Sequence, residues 1–308
     1  MVSIALKELD RLSQFSPKDE SYFLEILKKN QTVLFAYPGV HYLDIGYKYI
    51  QGKPQPLLSL RVHVYHKKDL TSLDPIEILP SAIDGLPIDV IQSNPTLQKS
   101  NERNGRFEPL VGGIAIRNPR FPTLGTLGCI VYDRLSSAPL GLSNYHVMVN
   151  QEGKQGDSIT QPPTENESDI IGNVLRWNEQ LDCALCTIRS NRKCSSAILG
   201  ISHIPSSIKE PAIGMTLMKS GRTTGTTQGI IDGISLNEFT VIPIPNDPNG
   251  FQEISAPGDS GSIWLDMKTG AGVGLHYAGE QDPDPDSERA WAKKLILVFE
   301  LLNIQFHP

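Results

Sequence analysis

The sequence predicts a mainly β protein in two unequal parts: a small α+β unit over residues 1–105 and an all-β domain over 106–308. Three observations predict it. From Pro109 onward, ten short strand-like segments recur between Gly and Pro turns, a rhythm that suits a sandwich or barrel. The 26 glycines and 23 prolines leave few long uninterrupted stretches, which disfavours a helical bundle. Helical spacing is confined to the first 30 residues and to the C-terminal end. A length of 308 residues also accommodates about two domains.

Taken in order, Ala5, Leu9 and Leu12 share one helical face, and Phe23, Ile26 and Leu27 another. A break near Ser16-Pro17 makes these a pair of amphipathic helices packed on a small sheet. Leu43 to Ile50 and Leu57 to Tyr65 read as two strands joined by the turn Gln51-Gly52-Lys53-Pro54, with Leu58, Leu60, Val62 and Val64 on one face. Ile88 to Ile91 is a further short strand, and polar Ser93 to Arg106 is the expected linker. This first unit shows no chemistry of its own and is expected to be a regulatory or partner-binding module, a pro-like inhibitor or packing support.

The strands of the second unit are expected at Ile114–Ile116, Thr126–Tyr132, Ala138–Ser143, Ile170–Leu175, Cys183–Ile188, Thr216–Lys219, Gln228–Ile234, Glu238–Ile244, Ser262–Leu265 and Gly272–His276. After an acidic, proline-broken loop, Trp291, Leu295, Val298, Phe299 and Leu302 fall at helical intervals. A helix is therefore expected over 288–302, with Ser287 as N-cap and Glu288 in the first turn.

Composition narrows the function. A net charge of −6 and a pI near 5.7 announce no basic face, so nucleic acid is not an expected partner. Charges interrupt the N-terminus before a secretory signal could form, and no 18-residue apolar run exists. The expectation is a cytoplasmic protein with no membrane partner. Cys183 and Cys186 form a Cys-x-x-Cys, but on a strand residues three apart face opposite ways, and no second pair stands nearby. No metal and no cofactor is expected, and the cysteines read as buried free thiols.

The chemistry concentrates in Ala256-Pro257-Gly258-Asp259-Ser260-Gly261-Ser262. A serine between glycines is uncovered, and the bent backbone aims the Gly258 and Ser260 N–H groups into one space, where an oxyanion would form during acyl transfer. His146 closes the apolar strand end Leu142-Ser-Asn-Tyr-His, and an imidazole is the side chain type suited to act as a base near neutrality. Asp182 opens the apolar strand Asp182-Cys-Ala-Leu, where the carboxylate is either solvated at the strand start or, at the edge of a core, paired with a partner such as an imidazole N–H. The order is His146, Asp182, Ser260, with spacings of 36 and 78 residues.

On these motifs, segment 109–302 resembles the trypsin/chymotrypsin-like serine proteases, in particular their bacterial, disulfide-poor members. Gly258-Asp259-Ser260-Gly261 resembles the nucleophile motif, Asn144-Tyr145-His146-Val147 the histidine motif and Asp182-Cys183-Ala184-Leu185 the aspartate motif. Lys219-Ser220-Gly221-Arg222-Thr223-Thr224-Gly225 resembles a hairpin of the streptogrisin type. Val273-Gly274-Leu275-His276 resembles the strand beside the primary specificity pocket. The Gly-Arg-Thr-Thr-Gly and Gly-Leu-His segments also resemble trypsin-like proteins of the plant narrow-leaf type.

The resemblance implies a chymotrypsin-like double β-barrel with a C-terminal helix. It implies a triad of His146, Asp182 and Ser260, an oxyanion hole at Gly258 and Ser260, and a pocket near Ile254, Leu275, His276 and Tyr277. It leaves residues 1–105 uncovered. The chain departs from the family in lacking its disulfide-forming cysteines, in carrying Ser262 for a second glycine, and in placing Ile254 where trypsin-like enzymes carry an aspartate. The last departure favours a small or apolar side chain before the scissile bond. Leu110-Val111-Gly112-Gly113 resembles the freed N-terminus of activated members. Pro109 is a poor cleavage point, so these residues read as a first strand, and Asp259 then requires a backbone N–H or a basic side chain as partner.

The function implied is a serine endopeptidase acting on protein or peptide substrates through an acyl-enzyme. The alternatives are a catalytically silent or latent protease-fold scaffold, and an esterase using the same site.

Overall fold

The structure, a computed structural model, describes residues 17–50, 53–93, 95–96, 103–245, 253–280 and 288–308. The first expected helix and Ser287 lie outside the described residues.

Six antiparallel strands close on themselves in the C-terminal part, in the order Thr216–Gly221, Ile263–Asp266, Gly272–Glu280, Ala290–Lys294, Glu238–Ile242 and Gly225–Ile234. The last pairs back to the first from Ile230 opposite Thr216 to Gly225 opposite Gly221. A second sheet of eight strands curls into a half-barrel: Ile304–Gln305, Cys129–Asp133, Pro139–Ser143, Cys183–Thr187, Ile170–Asn178, Ser158–Thr160, Ile114–Arg117 and Leu124–Leu127. A closed barrel facing a curled sheet, with few helices, is the chymotrypsin-like double-barrel plan. Each of the ten strands expected after Pro109 overlaps a strand of these two sheets. Leu110–Gly112 also forms a strand and pairs in parallel with Cys194–Ile198.

The strand Cys183–Thr187 shows how the half-barrel is covered. Cys183 and Leu185 face one core, with Leu142, Ile263 and Phe299, while Ala184 and Cys186 face another, with Ile114, Val147 and Ile171. Period-2 alternation thus sends the two cysteines apart, and burial pushes both thiols up to about 12.

The C-terminal helix begins later than its spacing predicts. Ala290–Lys294 is a strand and the helix runs over Leu295–Leu301. Ala290 and Ala292 face the barrel core while Trp291 packs on Tyr42 and Ala278, an alternation of two. These residues supply the sixth barrel strand, pairing on both sides with Glu238–Ile242 and Gly272–Glu280. Completing that ladder overrides local helical preference. Leu295, Val298, Phe299 and Leu302 keep the helical period and share one core.

The N-terminal unit is a helix, Pro17–Leu34, over a hairpin of Val40–Ile50 and Lys53–Val64, with Leu86–Gln92 added in parallel. Ile26, Leu27 and Leu34 of the helix meet Leu58, Leu60, Val62 and Val64 in one core. The hairpin continues the barrel sheet through Ile45 opposite Ile234 and Gly46 opposite Gly233. The seam is ionic: Arg61, fully buried, donates to Asp44 and, at 2.7 Å, to Asp232, which also accepts from Arg289 at 3.0 Å. Such a network satisfies its charges rather than adding much net stability, and removing one member is the costly event.

Candidate active site

His146 and Asp182 meet because their strands are neighbours. Pro139–Ser143 and Cys183–Thr187 pair antiparallel with Ser143 opposite Ala184, so the chain leaving the first passes the chain entering the second. His146 is not on the strand, as its flanks predict, but in the single helical turn Tyr145–Met148 that follows it. Asn144 precedes the turn and donates its amide to the carbonyl of Asp182 at 2.7 Å. The Asp182 carboxylate accepts twice from His146, from the backbone N–H at 3.0 Å and through Nδ1 at 2.7 Å. Asp182 itself adopts φ +44°, a left-handed conformation that Asp and Asn tolerate best among residues other than glycine.

Ser260 comes from the loop that enters the barrel strand Ile263–Asp266. Strand Leu124–Leu127 of the half-barrel grips this loop: Thr126 donates its N–H to Ser260 O at 2.8 Å and its hydroxyl to Gly258 O at 2.7 Å. Both glycines of the motif are required. Gly258 has φ +103°, and a Cβ there would lie 2.3 Å from the Arg222 guanidinium. Gly261 has φ +97°, and a Cβ there would lie 2.2 Å from Ser143 Oγ and from Thr126 O. The turn carrying His146 approaches the same place: a Cβ on Gly125 would lie 2.4 Å from the Val147 side chain and 3.1 Å from Ser260 O.

The loop's amides divide into two sets. Asp259 N–H donates to Ala256 O, Gly261 N–H to His276 O and Ser262 N–H to Asp259 O. The N–H groups of Gly258 and Ser260 take no backbone partner among the described residues. The Ser260 hydroxyl donates to the carbonyl of Tyr277 at 3.2 Å, and no bond from it to His146 occurs among the described residues.

Asp259 finds the partner its position requires. Its carboxylate accepts from Lys219 Nζ at 2.8 Å, from the Thr223 and Thr224 N–H groups at 2.9 and 3.2 Å, and from Ala256 N–H at 3.1 Å. Burial alone would raise its pKa, but the Lys219 charge and the hydrogen bonds donated by Lys219 and by the Thr224 hydroxyl bring it down to about 2. Lys219 also lies over the Trp264 ring. The Lys-Ser-Gly-Arg-Thr-Thr-Gly segment therefore anchors the loop that carries Ser260, through Asp259.

Of the pocket residues expected from sequence, Ile254 is buried in the barrel core and Leu275 in the core beneath the half-barrel. His276 is buried edge-on to Trp264. Its burial, with the Lys219 charge nearby, lowers its pKa to about 3, so it is neutral, and its Nδ1 lacks a partner among the described residues. Tyr277 donates its hydroxyl to Glu238 at 2.9 Å.

Sequence reasoning missed Glu288, expected in a helical turn. It is buried, and one carboxyl oxygen accepts from the Ile254 and Ser255 N–H groups, both at 3.2 Å. A carboxyl thus sits on the backbone of Ile254. Burial, with the negative Glu253 and Glu280 nearby, pushes its pKa up to about 8 against these two bonds. Between about pH 4.5 and 8 the native carboxyl keeps a proton that the unfolded chain releases, so this group lowers stability as pH rises through that window. Glu288→Gln keeps the accepting oxygen and removes the ionisation. Urea titrations are expected to show no change at pH 4 and a gain on the order of 2 kcal/mol at pH 9. An equal gain at both pH values would contradict this account.

No family model and no curated protein matches the sequence. Among solved structures, the chain is similar to a Nocardiopsis protease at 17% identity, over 63% of this chain and 97% of that one, with a TM-score of 0.48. It is similar to Thermobifida fusca protease A at 18% identity, over 63% and 96%, with a TM-score of 0.46. A third is a glutamic acid specific serine protease that uses a histidine triad in substrate binding, at 15% identity over 64% and 99%, with a TM-score of 0.48. These neighbours are trypsin/chymotrypsin-like serine proteases.

Proposed function

We propose that this protein is a serine endopeptidase that hydrolyses peptide bonds through an acyl-enzyme. Ser260 Oγ leaves its bond to Tyr277 O as substrate seats, gives its proton to His146 Nε2 and attacks the scissile carbonyl. His146 then protonates the leaving amine. Asp182, bonded to Nδ1, holds the imidazole in the tautomer that leaves Nε2 free to accept, and stabilises the imidazolium. The unspent N–H groups of Gly258 and Ser260 receive the oxyanion. A water activated by His146 then releases the acyl group.

The observation supporting this reading most strongly is the two-point hold of Asp182 on His146, beside a loop whose second and fourth amides are occupied while those of Gly258 and Ser260 take no backbone partner among the described residues. Hydroxyl-to-imidazole bonds often tighten only with substrate bound, so the resting bond to Tyr277 O is compatible with the scheme.

The test is labelling by a small fluorophosphonate. Wild-type protein is expected to label at Ser260, and Ser260→Ala to lose the label with an unchanged melting temperature. Label retained in Ser260→Ala would remove this serine from the scheme. A folded wild type that never labels would favour a silent scaffold.

A further inference from the structure

Strand Gly272–Glu280 changes partners along its length. One edge pairs with Ala290–Lys294 from Gly274 to Gly279. The other pairs with Ile263–Asp266 only as far as Leu275 opposite Ile263. Beyond that, His276 bonds to the nucleophile loop through Gly261 N–H and Ser262 O, and Tyr277 O accepts the Ser260 hydroxyl. The next stretch, Ala278 to Glu280, presents backbone groups on an edge that starts at the nucleophile.

That edge is taken. The short strand Pro95–Thr96 lies along it antiparallel, with Thr96 opposite Gly279 and Pro95 opposite Glu280. Gly279 also faces Ala290 on its other side, so Pro95–Thr96 must occupy the edge that Ile263–Asp266 leaves bare. Glu280 N–H donates across to Arg289 O. In an extended strand neighbouring N–H groups point to opposite edges, so Gly279 N–H points toward Thr96.

A bare strand edge beside a nucleophile is where an extended peptide adds itself as a further strand, its main chain supplying the bonds. We propose that the chain occupies its own substrate edge: Pro95–Thr96 competes with incoming peptide at Gly279 and Glu280 and must lift off before substrate can pair there. This rests on the endopeptidase reading and adds regulation to the same site. The segment makes a two-residue ladder. So short a ladder is a brake that a longer peptide, making more main-chain bonds along the same edge, can displace.

The test uses the full chain and Thr96→Pro, which removes an N–H from the ladder. For a hexapeptide long enough to reach Gly279, Thr96→Pro is expected to lower KM about tenfold, equivalent to ~1.4 kcal/mol, with kcat within about twofold. Labelling by the small fluorophosphonate, which needs only the serine and its hole, is expected to be equal in both proteins. Labelling in both with an unchanged KM would overturn the competition. Absence of labelling in both would instead overturn the endopeptidase reading. Hydrogen exchange on the wild type stands apart from the variant's folding: the Gly279 amide is expected to be protected, and free exchange there would overturn the occupied edge.

Discussion

On the proposed endopeptidase scheme, Asp182→Asn is expected to slow peptide hydrolysis about ten-thousand-fold while leaving the fold intact. The argument comes from the two bonds at the carboxylate. Asp182 Oδ1 accepts from the His146 backbone N–H, and Oδ2 faces Nδ1 of the ring. After substitution the amide oxygen must stay on the backbone N–H, because an NH2 there would oppose another donor. The new NH2 then faces Nδ1 and makes it an acceptor. The ring proton moves to Nε2, and the imidazole can no longer take the proton of Ser260. Stability should hold, because Asn tolerates φ +44° as Asp does, and the Asn144 bond goes to the backbone carbonyl of residue 182. The measurement is kcat/KM on a peptide substrate, beside thermal melting. A loss of less than about tenfold in a folded variant would mean that Asp182 does not set the tautomer.

Lys219→Met is expected to destabilise the protein by about 3–5 kcal/mol at pH 7, the usual result of stranding a buried charge. Lys219 and Asp259 are both fully buried, and no other cationic side chain bonds Asp259 among the described residues. The pH dependence follows from the signs. In the wild type Asp259 is depressed from 3.8 to about 2, so its contribution is present above about pH 4 and fades as pH falls through 2. In the variant, burial acts without the compensating charge, the carboxyl titrates upward, and stability falls as pH rises instead. Adding Asp259→Asn should recover much of the loss, since Asn keeps an oxygen for the Thr223 and Thr224 amides. Denaturant titrations of the four proteins across pH decide it. A Lys219→Met penalty below about 1 kcal/mol would show that the threonine and Ala256 amides hold Asp259 unaided.

The parts legible in the sequence were those written in local spacing. Leu58, Leu60, Val62 and Val64 announced one buried face by alternation, and the structure buries all four together. Cys183 and Cys186, three apart on a strand, fall in different cores. Alternation at Ala290-Trp291-Ala292 was hidden because Trp291 also fits the helical series that continues to Leu302. Only the barrel, which lacks a sixth strand without these residues, selects the period of two. Glu288 was illegible for a related reason. A single acid after an acidic loop looks solvated, and its burial depends on Ile254 and Ser255 arriving from 34 and 33 residues away.

The sequence by itself determined the all-β rhythm and the demand of Asp259 for a partner, and it put forward His146, Asp182 and Ser260 as candidate catalytic groups. Each of these follows from side-chain type and short-range pattern. Tertiary structure alone decided that Lys219 answers that demand, that Arg61 and Asp232 join the N-terminal hairpin to the barrel sheet, and that Pro95–Thr96 lies on the strand edge beside the serine. Those are pairings between segments far apart in the chain. They are chosen by which buried charges and bare strand edges remain unmet once both sheets have formed, and no local spacing encodes that remainder.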